Sequence, residues 1–168
     1  GEELTGVEKI VLPGVGAFGA AMEKLKESGF YESVREWLLS NKPFLGICLG
    51  MQLLFEESLE SEGIKGLGLF RGKCLRFQKG KVPQIGWNQI KIERHSRLLE
   101  GIEDGSFFYF LHGYYVAPKN GDIVVATTDY GITYPSILEK GHIFAVQFHP
   151  EKSGEKGLRL LQNWVKLC

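Results

Sequence analysis

The stretch Pro43-Phe44-Leu45-Gly46-Ile47-Cys48-Leu49-Gly50-Met51-Gln52-Leu53-Leu54-Phe55 decides the fold. It begins as a short apolar run after a proline, the pattern of a buried strand. Met51, Leu54, Phe55 and Leu59 then recur at helical spacing, which predicts an amphipathic helix running out near Glu60 to Gly63. Cys48 sits where the strand pattern gives way to the helix pattern, with Gly46 and Gly50 two residues to either side. A tight strand-to-helix turn crowds its neighbours, and glycine on both flanks removes the side chains that would clash. This is the pattern of a nucleophile elbow, with cysteine in place of serine. Such a turn leaves the sulfur at a helix N-terminus, where the macrodipole favours a thiolate. A small buried cysteine in an apolar strand is the competing reading, and the remainder of the chain decides between them.

Upstream, residues 7 to 12 (Val-Glu-Lys-Ile-Val-Leu) read as a strand followed at once by Pro13-Gly14-Val15-Gly16. In an open α/β sheet the C-terminal edge of the strands is where ligands bind, and glycines bring backbone amides into the open there. Helical segments are expected over 17 to 27 and 31 to 40, the first stopping at Gly29. Strand, helices, strand, helix implies parallel pairing and a doubly wound, mostly parallel sheet flanked by helices. Downstream, residues 72 to 77, 87 to 93, 106 to 112, 123 to 128 and 133 to 138 alternate or are rich in aromatics. Gly and Pro turns separate them and no helices intervene. They read as an added antiparallel or mixed region. Residues 142 to 148 form another apolar strand, and a closing helix starts near Glu155. The expected class is α/β, with residues 1 to 168 as one domain.

The composition fits an ordinary globular protein: 168 residues, 43% hydrophobic and 24% charged, with 20 basic and 20 acidic side chains. Zero formal charge and no basic cluster give no pull toward nucleic acid or anionic membrane. No apolar run approaches the roughly 18 residues that span a bilayer. The acidic start, Gly-Glu-Glu-Leu-Thr-Gly, lacks a signal-peptide pattern. Cys48, Cys74 and Cys168 make an odd set without regular spacing, which points to a reducing, cytoplasmic setting rather than a disulfide scaffold. His95, His112, His142 and His149 show no zinc-ligand spacing, so no metal is expected.

After the 142 to 148 strand comes His149-Pro150-Glu151-Lys152-Ser153. Pro150 is expected to hold this segment extended, where residues i and i+2 point the same way, and so to place Glu151 beside His149. A carboxylate next to an imidazole fixes its tautomer and stabilises its protonated form. A base with an orienting acid is what a cysteine nucleophile needs. In a parallel sheet both strand ends lie on one edge, so the Cys48 elbow and the His149 segment support each other.

Gly-Ile-Cys-Leu-Gly-Met-Gln with Gln-Phe-His-Pro-Glu far downstream resembles the class I (triad) glutamine amidotransferases. Within that family, four stretches are similar to the glutaminase subunits of imidazole glycerol phosphate synthases. They are residues 12 to 16 (Leu-Pro-Gly-Val-Gly), 48 to 55, 85 to 88 (Ile-Gly-Trp-Asn) and 147 to 153. The resemblance implies a flavodoxin-like amidotransferase fold, with Cys48 as nucleophile toward L-glutamine, His149 as base and acid, and Glu151 orienting His149. It implies an oxyanion hole from the Leu49 amide and that of Val15 or Gly16, preorganised for the tetrahedral intermediate. Gly14, Gln52, Glu60, His112, Gly113 and Tyr114 are the implied substrate contacts. Gly113 stands where the family usually has Ser or Thr, so a hydroxyl contact is lost while the backbone amides of Gly113 and Tyr114 remain.

The resemblance also implies a partner. Trp87, Asn88 and Lys152 map to a face toward a synthase (cyclase) subunit with a (β/α)8 barrel, forming a heterodimer that receives ammonia for histidine biosynthesis. The glutaminase half needs no cofactor, and low activity without the partner is expected, with the 13 to 16 loop as the natural switch. Two alternatives stand beside this reading: a related subunit feeding another synthase, for example in surface-sugar synthesis, and a non-catalytic binding subunit. Family members also begin with a strand, a Gly-rich turn and a helix that this chain lacks ahead of residue 7. That strand would lie inside the sheet, so its loss is expected to expose apolar surface and a strand edge.

Overall fold

The computed structural model describes residues 4–168; residues 1–3, the start of the acidic N-terminal stretch, lie outside the described residues. Strand β1 (Ile10–Leu12) is followed by helices α1 (Phe18–Glu27) and α2 (Tyr31–Leu39), then β2 (Phe44–Ile47) and a single helical turn α3 (Leu49–Gln52). Next come β3 (Phe55–Ser58), β4 (Phe70–Arg76), β5 (Gln84–Gln89), β6 (Lys91–Ile92), β7 (Phe107–His112) and β8 (Tyr114–Pro118). The chain closes with β9 (Val124–Asp129), β10 (Thr133–Lys140), β11 (Ile143–Val146) and α4 (Gly154–Leu167).

The main sheet has the order β1-β2-β11-β10-β9-β6. Its first three strands pair parallel, while β10, β9 and β6 continue antiparallel. This is a parallel core with an added antiparallel region. The period-2 rule explains how both faces are filled. Along β11, Ile143 and Ala145 join a core with Phe18, Met22 and Trp37 from α1 and α2. Phe144 and Val146 point the other way, into a core closed by Leu160 and Trp164 of α4. Helices on both faces are why these strands are continuously apolar rather than alternating. Strands β3-β4-β8 and β5-β7 form two smaller sheets.

Three elements differ from the sequence expectation: residues 87 to 93 divide between β5 and β6 in different sheets, β8 has no expected counterpart, and the helix after the elbow is cut short. The helix after Cys48 stops at Gln52, and residues 55 to 58 form β3 instead. The carbonyls that would have continued the helix are taken from outside: Leu67 N–H donates to Leu53 O, Phe70 to Leu54 O and Gly66 to Glu56 O. Gly66 permits this approach, because a Cβ there would collide with the Phe55 carbonyl oxygen. Phe55 then pairs parallel with Phe70. Leu59, expected on an apolar helix face, is 46% exposed.

Candidate active site

The elbow is built by close backbone approach. Cys48 has φ 54° and ψ −107°, a positive-φ conformation that costs a non-glycine residue of order 1–3 kcal/mol. A Cβ on Gly46 would lie 2.8 Å from the Gly50 carbonyl oxygen, and one on Gly50 would run into the Leu12 carbonyl oxygen. The flanking glycines thus let the helical turn pack on β1 and β2. Cys48 N–H donates to Val146 O at 2.8 Å, so Cys48 and the His149 segment leave adjacent parallel strands at one edge.

Cys48 is a buried thiol in this structure. Burial pushes it up to about 11, against smaller downward pulls from the Leu49 backbone amide and the Gln147 side chain. Glu151 adds to the rise and Lys152 opposes it. The expected macrodipole effect does not decide the matter: one helical turn carries little aligned dipole, and desolvation of the thiolate outweighs it. A neighbouring base is therefore required.

The His149 segment after β11 is not extended as the sequence predicts. His149 has β-region backbone, but Pro150–Lys152 form a 3₁₀ turn that folds Glu151 back toward it. Glu151 Oε1 lies 2.7 Å from His149 Nδ1. The His149 backbone is fastened three times, its N–H donating to Tyr109 O at 2.9 Å and its carbonyl accepting from Ser153 Oγ at 2.6 Å and from Lys152 N–H at 3.0 Å. His149 Nε2 is buried without a hydrogen-bond partner among the described residues. A buried ring nitrogen left unpaired is costly unless its partner arrives during the reaction.

A cavity of about 170 Å³ opens at the sulfur, lined by Val15, Gly16, Cys48, Leu49, Gln52, Glu60, Leu111, His112, Gly113 and Tyr114. It is smaller than the about 300–1,000 Å³ of sites for drug-sized molecules and suits an amino acid. Gly14 lies outside this lining, packed on Leu49 and facing a neighbouring apolar cavity of about 410 Å³. His149 and Glu151 are also off the lining.

A family model for class-I glutamine amidotransferases matches residues 3–167. The chain belongs to the class I glutamine amidotransferase family. It is 50% identical over 167 residues to the imidazole glycerol phosphate synthase subunit HisH of Methanocaldococcus jannaschii, covering 99% of this chain and 84% of that one. The corresponding subunit of Methanothermobacter thermautotrophicus is 53% identical over 169 residues, with 98% and 81% covered. Among solved structures, PurLQS from Thermotoga maritima superposes with TM-score 0.73 at 21% identity, over 98% of this chain and 81% of that one. A structure described as a glutamine amidotransferase gives 0.71 at 20%, over 96% and 82%. At those identities the two structures speak to the fold alone.

Around this cavity, several side chains are engaged differently from the sequence expectation. Glu60 is in the turn after β3, where its Oε1 accepts from Phe18 N–H at 2.7 Å and caps α1. Gln52 Nε2 donates to Tyr114 O at 3.0 Å and to Gln147 Oε1 at 3.4 Å. His112 is committed to the interior: Nδ1 faces Tyr114 O at 2.8 Å and Nε2 faces Gln84 Nε2 at 2.9 Å. A carbonyl can only accept, so Nδ1 carries the proton and Nε2 accepts from Gln84. Burial lowers His112 to about 4, keeping it neutral.

The three residues expected at a partner face divide. Trp87 is 56% exposed, with Ile85 and Phe107 exposed beside it on the β5-β7 sheet. Lys152 is also exposed. Asn88 is tied inward, its Nδ2 donating to Gln84 Oε1 at 2.8 Å and to Asp129 O at 2.9 Å. The sequence assigns no individual role to Gln84, Leu111, Gln147 or Ser153, although Leu111, Gln147 and Ser153 fall in stretches that carry the resemblance. Only Gln147 carried a local signal, a polar residue between Val146 and Phe148 in an apolar run.

Among the described residues, no group of three or more His, Cys, Asp or Glu side chains is placed to hold a metal ion. No helix of the described residues is long and apolar enough to cross a membrane.

Proposed function

We propose that this chain is the glutaminase subunit of an imidazole glycerol phosphate synthase, hydrolysing L-glutamine and passing ammonia to a synthase subunit in histidine biosynthesis. The observation that carries the reading is an elbow thiol and a His149–Glu151 pair following adjacent parallel strands at one sheet edge, in a chain about half identical to HisH subunits along nearly its whole length. Residues 1 to 168 act as one amidotransferase domain in the cytoplasm, and the partner is a (β/α)8 barrel docked on the face that holds Trp87 and Lys152, with Asn88 bracing it.

His149 Nε2 takes the Cys48 proton as the sulfur attacks the side-chain amide carbon of glutamine. Glu151 holds the imidazole by Nδ1 and stabilises its charged form. The amide of Leu49 and that of Val15 or Gly16 receive the negative oxygen. His149 then delivers its proton to the departing nitrogen, the C–N bond breaks, and ammonia leaves a Cys48 thioester. Water attacks the thioester with His149 again as base, releasing glutamate and restoring the thiol. Glu60, Gln52, Gly113 and Tyr114 line the space for the amino and carboxylate ends of the substrate, and Gly14 shapes the loop from behind. His112 holds Tyr114 in place.

The test is labelling of Cys48 by a glutamine-mimic electrophile, with and without a co-purified barrel protein. Labelling that rises with the barrel subunit of imidazole glycerol phosphate synthase supports the reading. Failure to label with any candidate partner would leave a binding subunit. Co-purification with a different synthase would redirect the ammonia.

A further inference from the structure

Gln147 follows β11 as a fully buried amide at 0% exposure. A buried amide costs free energy unless its polar atoms are paired. Its backbone N–H donates to Ser136 O at 2.9 Å, which leaves the side chain to be explained. Its Oε1 accepts from Gln52 Nε2 at 3.4 Å, and its Nε2 donates to Cys48 Sγ at 3.7 Å.

The sense of this chain follows from one unambiguous group. The Tyr114 carbonyl can only accept, so the end of Gln52 that faces it at 3.0 Å is the amine. The same amine faces Gln147, so the near end of Gln147 is its oxygen. The far end, toward the sulfur, is then a donor. Opposite stands a group of contrary preference: Cys48 Sγ donates to Leu111 O at 3.7 Å. The Leu111 carbonyl favours the thiol and the Gln147 N–H favours the thiolate. The other charged or titratable groups around the sulfur are Glu151 and Lys152 from the 3₁₀ turn, Tyr134 from β10, and Glu60 and the neutral His112 at the cavity wall, with His149 the base of the proposed function.

We propose that Gln147 is a further residue of the reaction centre, a donor that holds the Cys48 sulfur and stabilises its thiolate as His149 takes the proton. Gln52 is its positioning residue, fixing the amide's sense from the Tyr114 carbonyl. The inference rests on Cys48 being the nucleophile of the proposed function. It adds a donor for the sulfur itself, distinct from the donors that serve the substrate oxygen.

The experiment measures the pH dependence of Cys48 alkylation by iodoacetamide in the full chain, read by mass on the Cys48 peptide, so that buried Cys74 and half-exposed Cys168 do not interfere. A Gln147→Met variant should alkylate Cys48 about tenfold more slowly than the parent at pH 9, with its midpoint moved upward. Gln52→Met should slow it less, and the double variant should be no slower than Gln147→Met alone if Gln52 acts only through Gln147. With a competent synthase subunit, Gln147→Met should lower kcat while leaving KM for glutamine near its parent value.

An unchanged Cys48 profile in a folded Gln147→Met protein overturns the proposal. Should that variant fail to fold, Gln147→Glu keeps the length and an acceptor for Gln52 but offers the sulfur no N–H. It too must slow alkylation, and a parent-like profile would refute the role. Alkylation does not depend on turnover. A parent chain that reacts with iodoacetamide but never with a glutamine mimic would therefore sink the glutaminase reading while still judging Gln147.

Discussion

Glu151 Oε1 sits 2.7 Å from His149 Nδ1, while the other nitrogen of the same ring is buried and unpaired among the described residues. The carboxylate fixes which nitrogen carries the proton and leaves Nε2 as an acceptor, the form a general base needs. Glu151→Gln would preserve the shape but present a neutral amide able to donate to Nδ1, favouring the wrong tautomer. Glutaminase kcat in the presence of the partner should fall at least about 100-fold, with KM for glutamine little changed. Steady-state kinetics decide it, and a kcat within a few-fold of the parent would remove Glu151 from the mechanism.

The elbow stores strain for the sake of the sulfur. Cys48 holds φ 54°, a conformation that glycine adopts at no steric cost. Cys48→Gly and Cys48→Ala both abolish the nucleophile, but only alanine keeps the Cβ in the strained position. Cys48→Gly should therefore be more stable than Cys48→Ala by about 1 kcal/mol in urea unfolding, despite the greater flexibility of its unfolded chain. Equal or reversed stabilities would mean that the elbow is not strained.

Much of this arrangement could be read from the chain because it depends on local pattern. The apolar runs at 44 to 47 and 143 to 146 pack both sheet faces, and parallel pairing then brings Cys48 and His149 to one edge. What escaped the pattern depends on distant groups. Residues 53 to 56 have helical periodicity, yet their carbonyls are captured by the 66 to 70 segment and β3 results. Glu151 reaches His149 through a 3₁₀ turn that a two-residue extended rule does not foresee, although the contact is the same. The raised Cys48 thiol reflects burial by residues far along the chain, which outweighs the local helix end.

His112 links the site to acid stability. Burial lowers its pKa from 6.5 in the unfolded chain to about 4 in the fold, so between those values the unfolded state binds more protons. The stabilisation is complete above about pH 6.5 and is lost as pH falls through about 4, on the order of 3 kcal/mol in all. The urea midpoint should drop between pH 7 and pH 4.5. A His112→Gln variant, lacking the titrating group, should show a shallower decline. A parallel decline in both proteins would assign the acid sensitivity to other groups.

The β5-β7 sheet separates surface from brace. Trp87 is 56% exposed and meets only the edge of Tyr109, at 6.1 Å between ring centroids, among the ring contacts of the described residues. Trp87→Ala should change folding stability by less than about 1 kcal/mol, since little buried area is lost. If the face is the synthase interface, the same change removes a large aromatic anchor and should weaken association by about 30-fold or more. Asn88→Ala should do the reverse in proportion. Its amide bonds to Gln84 Oε1 and Asp129 O are lost, and the buried Gln84 oxygen loses the Asn88 donor, destabilising the fold by about 1–3 kcal/mol. Urea midpoints and sedimentation of the mixed subunits measure the two effects separately. Parent-like association of the Trp87→Ala chain would move the interface off this sheet, whatever Asn88 does to stability.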